Sequence, residues 1–136
     1  IKQGAVITAA PRWEGVAPPP ELMNEAKAFY AARCSTCHGE TGRGDGPAAK
    51  GMLPRPTDLH DRNWQAQISD DELKKVLLEG GPALGKAGTM PPSIDLDERP
   101  DLHHALVHLV RKMEDPAPES APGFPNVAPA PRHPLP

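Results

Sequence analysis

The run Cys34-Ser35-Thr36-Cys37-His38 decides how this chain is read. It is a C-x-x-C-H sequence, the spacing of a haem attachment site. Two thiols three positions apart can each add to one of the two vinyl groups of a haem. The imidazole of the next residue then lies under the iron. Covalent attachment suits a short domain, which encloses so large a cofactor poorly by packing alone. Rival readings of the same residues need context that is missing. A thioredoxin-like redox pair needs a βαβ setting. A zinc site needs a second ligand pair, and Cys34 and Cys37 are the chain's two cysteines. They are also too close in sequence for a disulfide between them to stabilise much.

Outward from this run the pattern is helical. Glu21 to Arg33 carries Leu22, Ala26, Phe29, Tyr30 and Arg33 at helical spacing, with Glu21 and Glu25 near the positive end, and leads straight into Cys34. Gly39 to Asp61 is rich in glycine and proline and is expected to be a loop lying close to another surface. Ser69 and Glu72 form a capping box for a helix to Glu79, with Leu73, Val76 and Leu77 as its apolar stripe and Gly80-Gly81 as its stop. A second loop from Pro82 to about Ile94 contains Met90-Pro91-Pro92. Asp101 to Met113 forms the last helix, with Leu102, Ala105, Leu106, Leu109, Val110 and Met113 on one face and Arg111-Lys112 at its negative C-terminal end. With no alternating strand pattern, the expected fold is all-α: three main helices and long loops around one covalently bound haem.

The ends differ from this core. Of nineteen prolines, twelve lie in the two ends. Residues 1–20 are expected to be an extended N-terminal arm, residues 21–113 the folded domain, and residues 114–136 a proline-rich tail, extended or without fixed structure. Phe124 and Leu135 are apolar anchors within that tail. The formal net charge of -3 and a pI near 6.1 exclude the concentrated basic face that nucleic acid requires. No run approaches a transmembrane span. The start at Ile1 lacks a charged and apolar leader, as expected of a mature form after signal-peptide removal. A periplasmic or other extracytoplasmic location follows as an expectation.

An iron held by His38 on one side either leaves its other side open for small ligands or takes a second protein ligand and carries electrons. Met23 and Met113 sit at core positions of helices. Met52 follows soon after His38, in the loop that leaves the proximal side. Met90 lies beyond a full helix in a loop stiffened by Pro91-Pro92, which suits a crossing to the opposite face. Met90 is the expected ligand and Met52 the next candidate.

These residues resemble the class I cytochromes c, monohaem proteins of bacteria and mitochondria, over about Glu21 to Met113. The pieces come in the family's order, and Gly42-Arg43-Gly44-Asp45-Gly46-Pro47 is similar to bacterial members. The resemblance implies thioethers to Cys34 and Cys37, with His38 and Met90 as axial ligands. It implies that the Pro47 carbonyl accepts the His38 Nδ1 proton. Trp64 matches a tryptophan that contacts a haem propionate, although a core aromatic is an equal reading. Arg55 could pair with a propionate or stand exposed. Ala26 replaces a common glycine and His108 a common aromatic, a small residue still facing a ring where the first and last helices cross. His103, His104 and His108 are expected on a solvated face, and His60 and His133 at the surface. The function implied is single-electron transfer between redox proteins that dock at the exposed haem edge. The chain would act as a free carrier or as a subunit held in a complex through its arms. A haem enzyme or gas sensor with an open site is the alternative.

Overall fold

The structure, a computed structural model, describes residues 17–84 and 90–117. Most of the arm, most of the tail, Phe124, His133 and Leu135 lie outside the described residues. Five α-helices occur among them: α1 (Pro20–Arg33), α2 (Ser35–His38), α3 (Arg62–Gln67), α4 (Asp70–Glu79) and α5 (Pro100–Arg111). Short 3-10 turns occupy Pro47–Ala49, Gly81–Leu84 and Ile94–Glu98, and the described residues contain no strand. The three long helices stand where the apolar periodicity puts them. The two short ones are additional.

Local chemistry sets the boundaries. Pro20 opens α1, where its missing N–H leaves no bond unmade. The capping box of α4 forms as read: Ser69 Oγ accepts from Glu72 N and Glu72 Oε1 accepts from Ser69 N, both at 3.0 Å. α3 is too short to show a period. Its signal is Asp61, whose carboxylate accepts from Asn63 N at 2.8 Å and Trp64 N at 3.4 Å. α5 begins at Pro100 and ends at Arg111, slightly earlier than the apolar stripe suggests.

α1 packs most extensively against α5. Ala26 and Ala105 are both fully buried, so small side chains let these helices approach closely. The first and last helices therefore pack together as expected, and His108 on α5 is half-buried. α4 covers another side of α5, which explains why Val107, outside the expected stripe, is buried along with Leu102, Leu106 and Val110. Leu96, from the Ile94–Glu98 turn, fills the same core.

Beyond the expected boundary at Met113 the described chain continues against the domain. The Asp115 carboxylate accepts from Arg43 Nη1 at 3.0 Å and Nη2 at 2.9 Å, and Asp115 N donates to His60 O at 3.0 Å.

Candidate haem site

α1 ends at Cys34, and one further turn follows. Cys37 N and His38 N both donate to Cys34 O, at 3.2 and 2.9 Å. Residues at i, i+3 and i+4 share a helix face. Cys34, Cys37 and His38 accordingly all line one cavity of about 230 Å³. The loop after His38 folds back on this turn: Gly44 N donates to His38 O at 2.7 Å and Gly46 N to Cys37 O at 3.0 Å. Only glycine fits at position 46, because a Cβ there would lie 2.2 Å from Thr36 O. Tyr30, buried on α1, donates its hydroxyl to Gly39 O at 2.7 Å. Burial pushes the Tyr30 hydroxyl up, with the Cys34 and Asp45 charges adding, so it stays a donor.

The His38 ring is oriented by the Thr57 carbonyl, 2.9 Å from Nδ1. This corrects the expectation of Pro47. Pro47 is exposed and opens a 3-10 turn, while the chain returns beside the ring through Pro56 and Thr57. Burial pushes the His38 pKa down, opposed by the bond to Thr57. The neutral ring that results, with its proton on Nδ1, leaves the Nε2 lone pair for a metal. Burial also pushes the Cys34 thiol up to about 11, with Arg33 opposing and Cys37 adding.

The other walls are apolar. Ile68, Leu73, Val76 and Leu77 come from the α3–α4 corner and α4, and Leu106 and Val110 from α5. Met52 and Met90 both reach the cavity and are half-buried, whereas Met23 and Met113 pack against the core. Met90 O accepts from Gly81 N at 3.0 Å, and Ser93 N donates to Leu77 O at 3.2 Å, fastening the Met90 loop to the end of α4. Trp64 lines the cavity while packing against the core, as a core aromatic does. Arg55 also lines the cavity and is exposed.

The other described histidines are less solvated than expected. His103 Nε2 lies 2.8 Å from Lys74 O, tying α5 to α4. His104 and His108 are half-buried, and burial pushes both pKa values down. His60 contacts the Thr41 carbonyl and sits 3.4 Å from the Asp115 carboxylate. Among the described residues no group of three or more His, Cys, Asp or Glu could hold a metal ion by itself. Sequence reading missed Thr57, whose contribution is a main-chain carbonyl that any residue carries. It also missed Gln65 and Asp70, and it took Arg111 for a helix-end charge.

Residues 23–109 match the family described as Cytochrome c. No curated protein matches the chain. Among solved structures, the KustC0563 c-type cytochrome is 28% identical, with a TM-score of 0.49, covering 66% of this chain and 98% of that one. The Kuenenia stuttgartiensis reducing HAO-like protein complex Kustc0457/Kustc0458 gives 25% identity and a TM-score of 0.55, covering 86% of this chain and 56% of that one. This chain thus spans a little over half of that second protein's matched chain. With the attachment turn opening on an apolar cavity, and the family match extending from α1 into α5, the chain belongs to the cytochrome c family of electron-transfer proteins.

Proposed function

We propose that the chain is a single-electron carrier holding one haem c through Cys34 and Cys37, with His38 and Met90 as axial ligands. The observation that carries this reading is the convergence of Cys34, Cys37, His38 and Met90 on one apolar cavity. The donor set fits the group: two thiols on one turn for its vinyls, a neutral imidazole with Nε2 available, and a thioether from a separate loop. A haem held there would supply an iron that gains and loses one electron, and a thioether ligand would raise its potential relative to a second histidine.

The residues of the chain hold, orient and shield. Thr57 orients the His38 ring, and the apolar side chains of Ile68, Leu73, Val76 and Leu77 shield the cavity from water. Met90 is favoured over Met52 because of where each backbone runs. Met52 lies five residues before Thr57, on the strand of chain that holds His38. Met90 comes from the far end of α4, and Gly80 gives its loop room: a Cβ at Gly80 would lie 2.7 Å from Met90 O.

Partners would dock at the cavity rim. Leu53, 86% exposed, stands between Met52 and Pro54, which both line the cavity. Weak, transient encounters suit such an exposed apolar rim. The similarity to a protein that belongs to a complex also supports a second arrangement, in which the chain is the electron-transfer subunit of a larger redox assembly. For either role we infer a periplasmic or other extracytoplasmic location. Spectroelectrochemical titration of protein whose haem survives denaturing electrophoresis tests the proposal. One haem per chain and a single reversible one-electron wave are expected. Haem lost on denaturation, or two haems per chain, would refute it.

A further inference from the structure

Behind the cavity wall lies a buried polar lattice. The side chains of Arg111 and Asp70 are only 11% and 14% exposed, with Arg111 Nε donating to Asp70 Oδ1 at 2.8 Å. Arg111 Nη1 donates to Gln65 O at 2.8 Å and Gln65 Oε1 at 2.9 Å, and Nη2 donates to Ile68 O at 2.6 Å. Gln65, fully buried, completes the lattice: its Nε2 donates to Leu59 O at 2.8 Å and Val110 O at 2.9 Å. Leu59, Ile68 and Val110 all line the cavity, as does Trp64 next to Gln65. The lattice therefore grips the backbone of several wall residues from behind.

Stability alone is a weak account of this arrangement. Desolvation offsets much of the attraction in a buried ion pair, and an apolar replacement is often as stable. The pair is also incomplete, because Asp70 Oδ2 is buried without a hydrogen-bond partner. A charge held in such a place acts on its surroundings over a longer range than it would in water.

We propose that Arg111 is a positioning residue that clamps the α3–α4 corner against the haem, and that the Arg111 and Asp70 charges each shift the reduction potential, in opposite senses. The proposal rests on the haem reading above. The guanidinium bonds directly to the carbonyl of Ile68, a wall residue, so its positive charge disfavours the more positive oxidised cofactor. The Asp70 carboxylate works in the opposite sense. The two charges thus pull the potential in opposite directions, while both hold the same corner in place.

This separates charge from structure. Three variants of the haem-loaded protein are compared: Asp70→Asn, Arg111→Gln and Arg111→Lys. Asp70→Asn is expected to raise the potential and Arg111→Gln to lower it. Arg111→Lys keeps the charge but not the fork of donors. It should leave the potential near the parent's, yet melt earlier and speed amide exchange across residues 65–70. If Arg111→Gln does not accumulate, a rise in Asp70→Asn against no change in Arg111→Lys carries the same conclusion. Shifts of the same sign in Asp70→Asn and Arg111→Gln, or no shift in Asp70→Asn, would overturn the proposal and leave a structural clamp only. Haem staining of each denatured protein keeps the two levels apart. An unstained parent would refute the haem reading, whereas stained variants with wrongly signed potentials refute this proposal alone.

Discussion

The two sides of the cavity are built in different ways. The His38 side is made of short-range main-chain bonds: Cys37 and His38 to Cys34 O, Gly44 to His38 O, Gly46 to Cys37 O. Its long-range contact is the Thr57 carbonyl on His38. The Met90 side is made of apolar side chains from α4 and α5, with the methionine loop pinned by Gly81 N and Leu77 O. The attachment side is thus specified by a few nearly contiguous residues, and changes at Cys34, Cys37, His38 or Gly46 should be the most damaging. The opposite side depends on packing and should yield by degrees.

The largest effect expected is on the attachment side. Replacing both Cys34 and Cys37 with alanine should release all haem from denatured protein on a stained gel. Gly46→Ala should be nearly as damaging. Its Cβ would meet Thr36 O at 2.2 Å and Ser35 O at 2.5 Å, backbone atoms that cannot move without distorting the turn. A loss of ~3 kcal/mol or more in denaturant unfolding is expected, at the upper end for overpacking.

The corresponding change across the cavity should cost less. Gly80→Ala places a Cβ 2.7 Å from Met90 O at a residue with φ of +89°. Strain of about 1–3 kcal/mol is expected. It should appear as weakened methionine ligation, seen as easier entry of small ligands, with covalent haem retained. If Gly80→Ala lost haem as Gly46→Ala does, the contrast between the two sides would fail.

The contrast also explains what could be read from sequence. The attachment turn was legible because its chemistry lies in contiguous residues. So were α1, α4 and α5, through their apolar spacing and the Ser69–Glu72 box. Thr57 was not, because a main-chain carbonyl has no signature, and Pro47 was the nearer proline to expect. α3 was missed because its six residues are too few for a helical period. Arg111 looked like a charge placed at a helix end, and only the fold shows it turned inward toward Gln65, Ile68 and Asp70.

The smallest effect expected lies outside both sides. Truncation after Met113 removes Asp115 from Arg43, an exposed pair, and should lower the melting temperature slightly while leaving the haem spectrum unchanged. The Arg43 guanidinium holds the Asp115 carboxyl below the usual range, helped by His60. A depressed carboxyl contributes stability that is present above its ordinary range and lost as pH falls through its lowered value. The difference between full-length and truncated protein should therefore shrink as the solution is acidified below the ordinary aspartate range. A difference that grows on acidification would remove Asp115 as its cause.

The central proposal, that His38 and Met90 are the two axial ligands, is tested most directly by carbon monoxide binding to the reduced protein at neutral pH. The account predicts that the parent and Met52→Ala do not bind it and that Met90→Ala does. Binding by the parent, or by Met52→Ala and not by Met90→Ala, would contradict it.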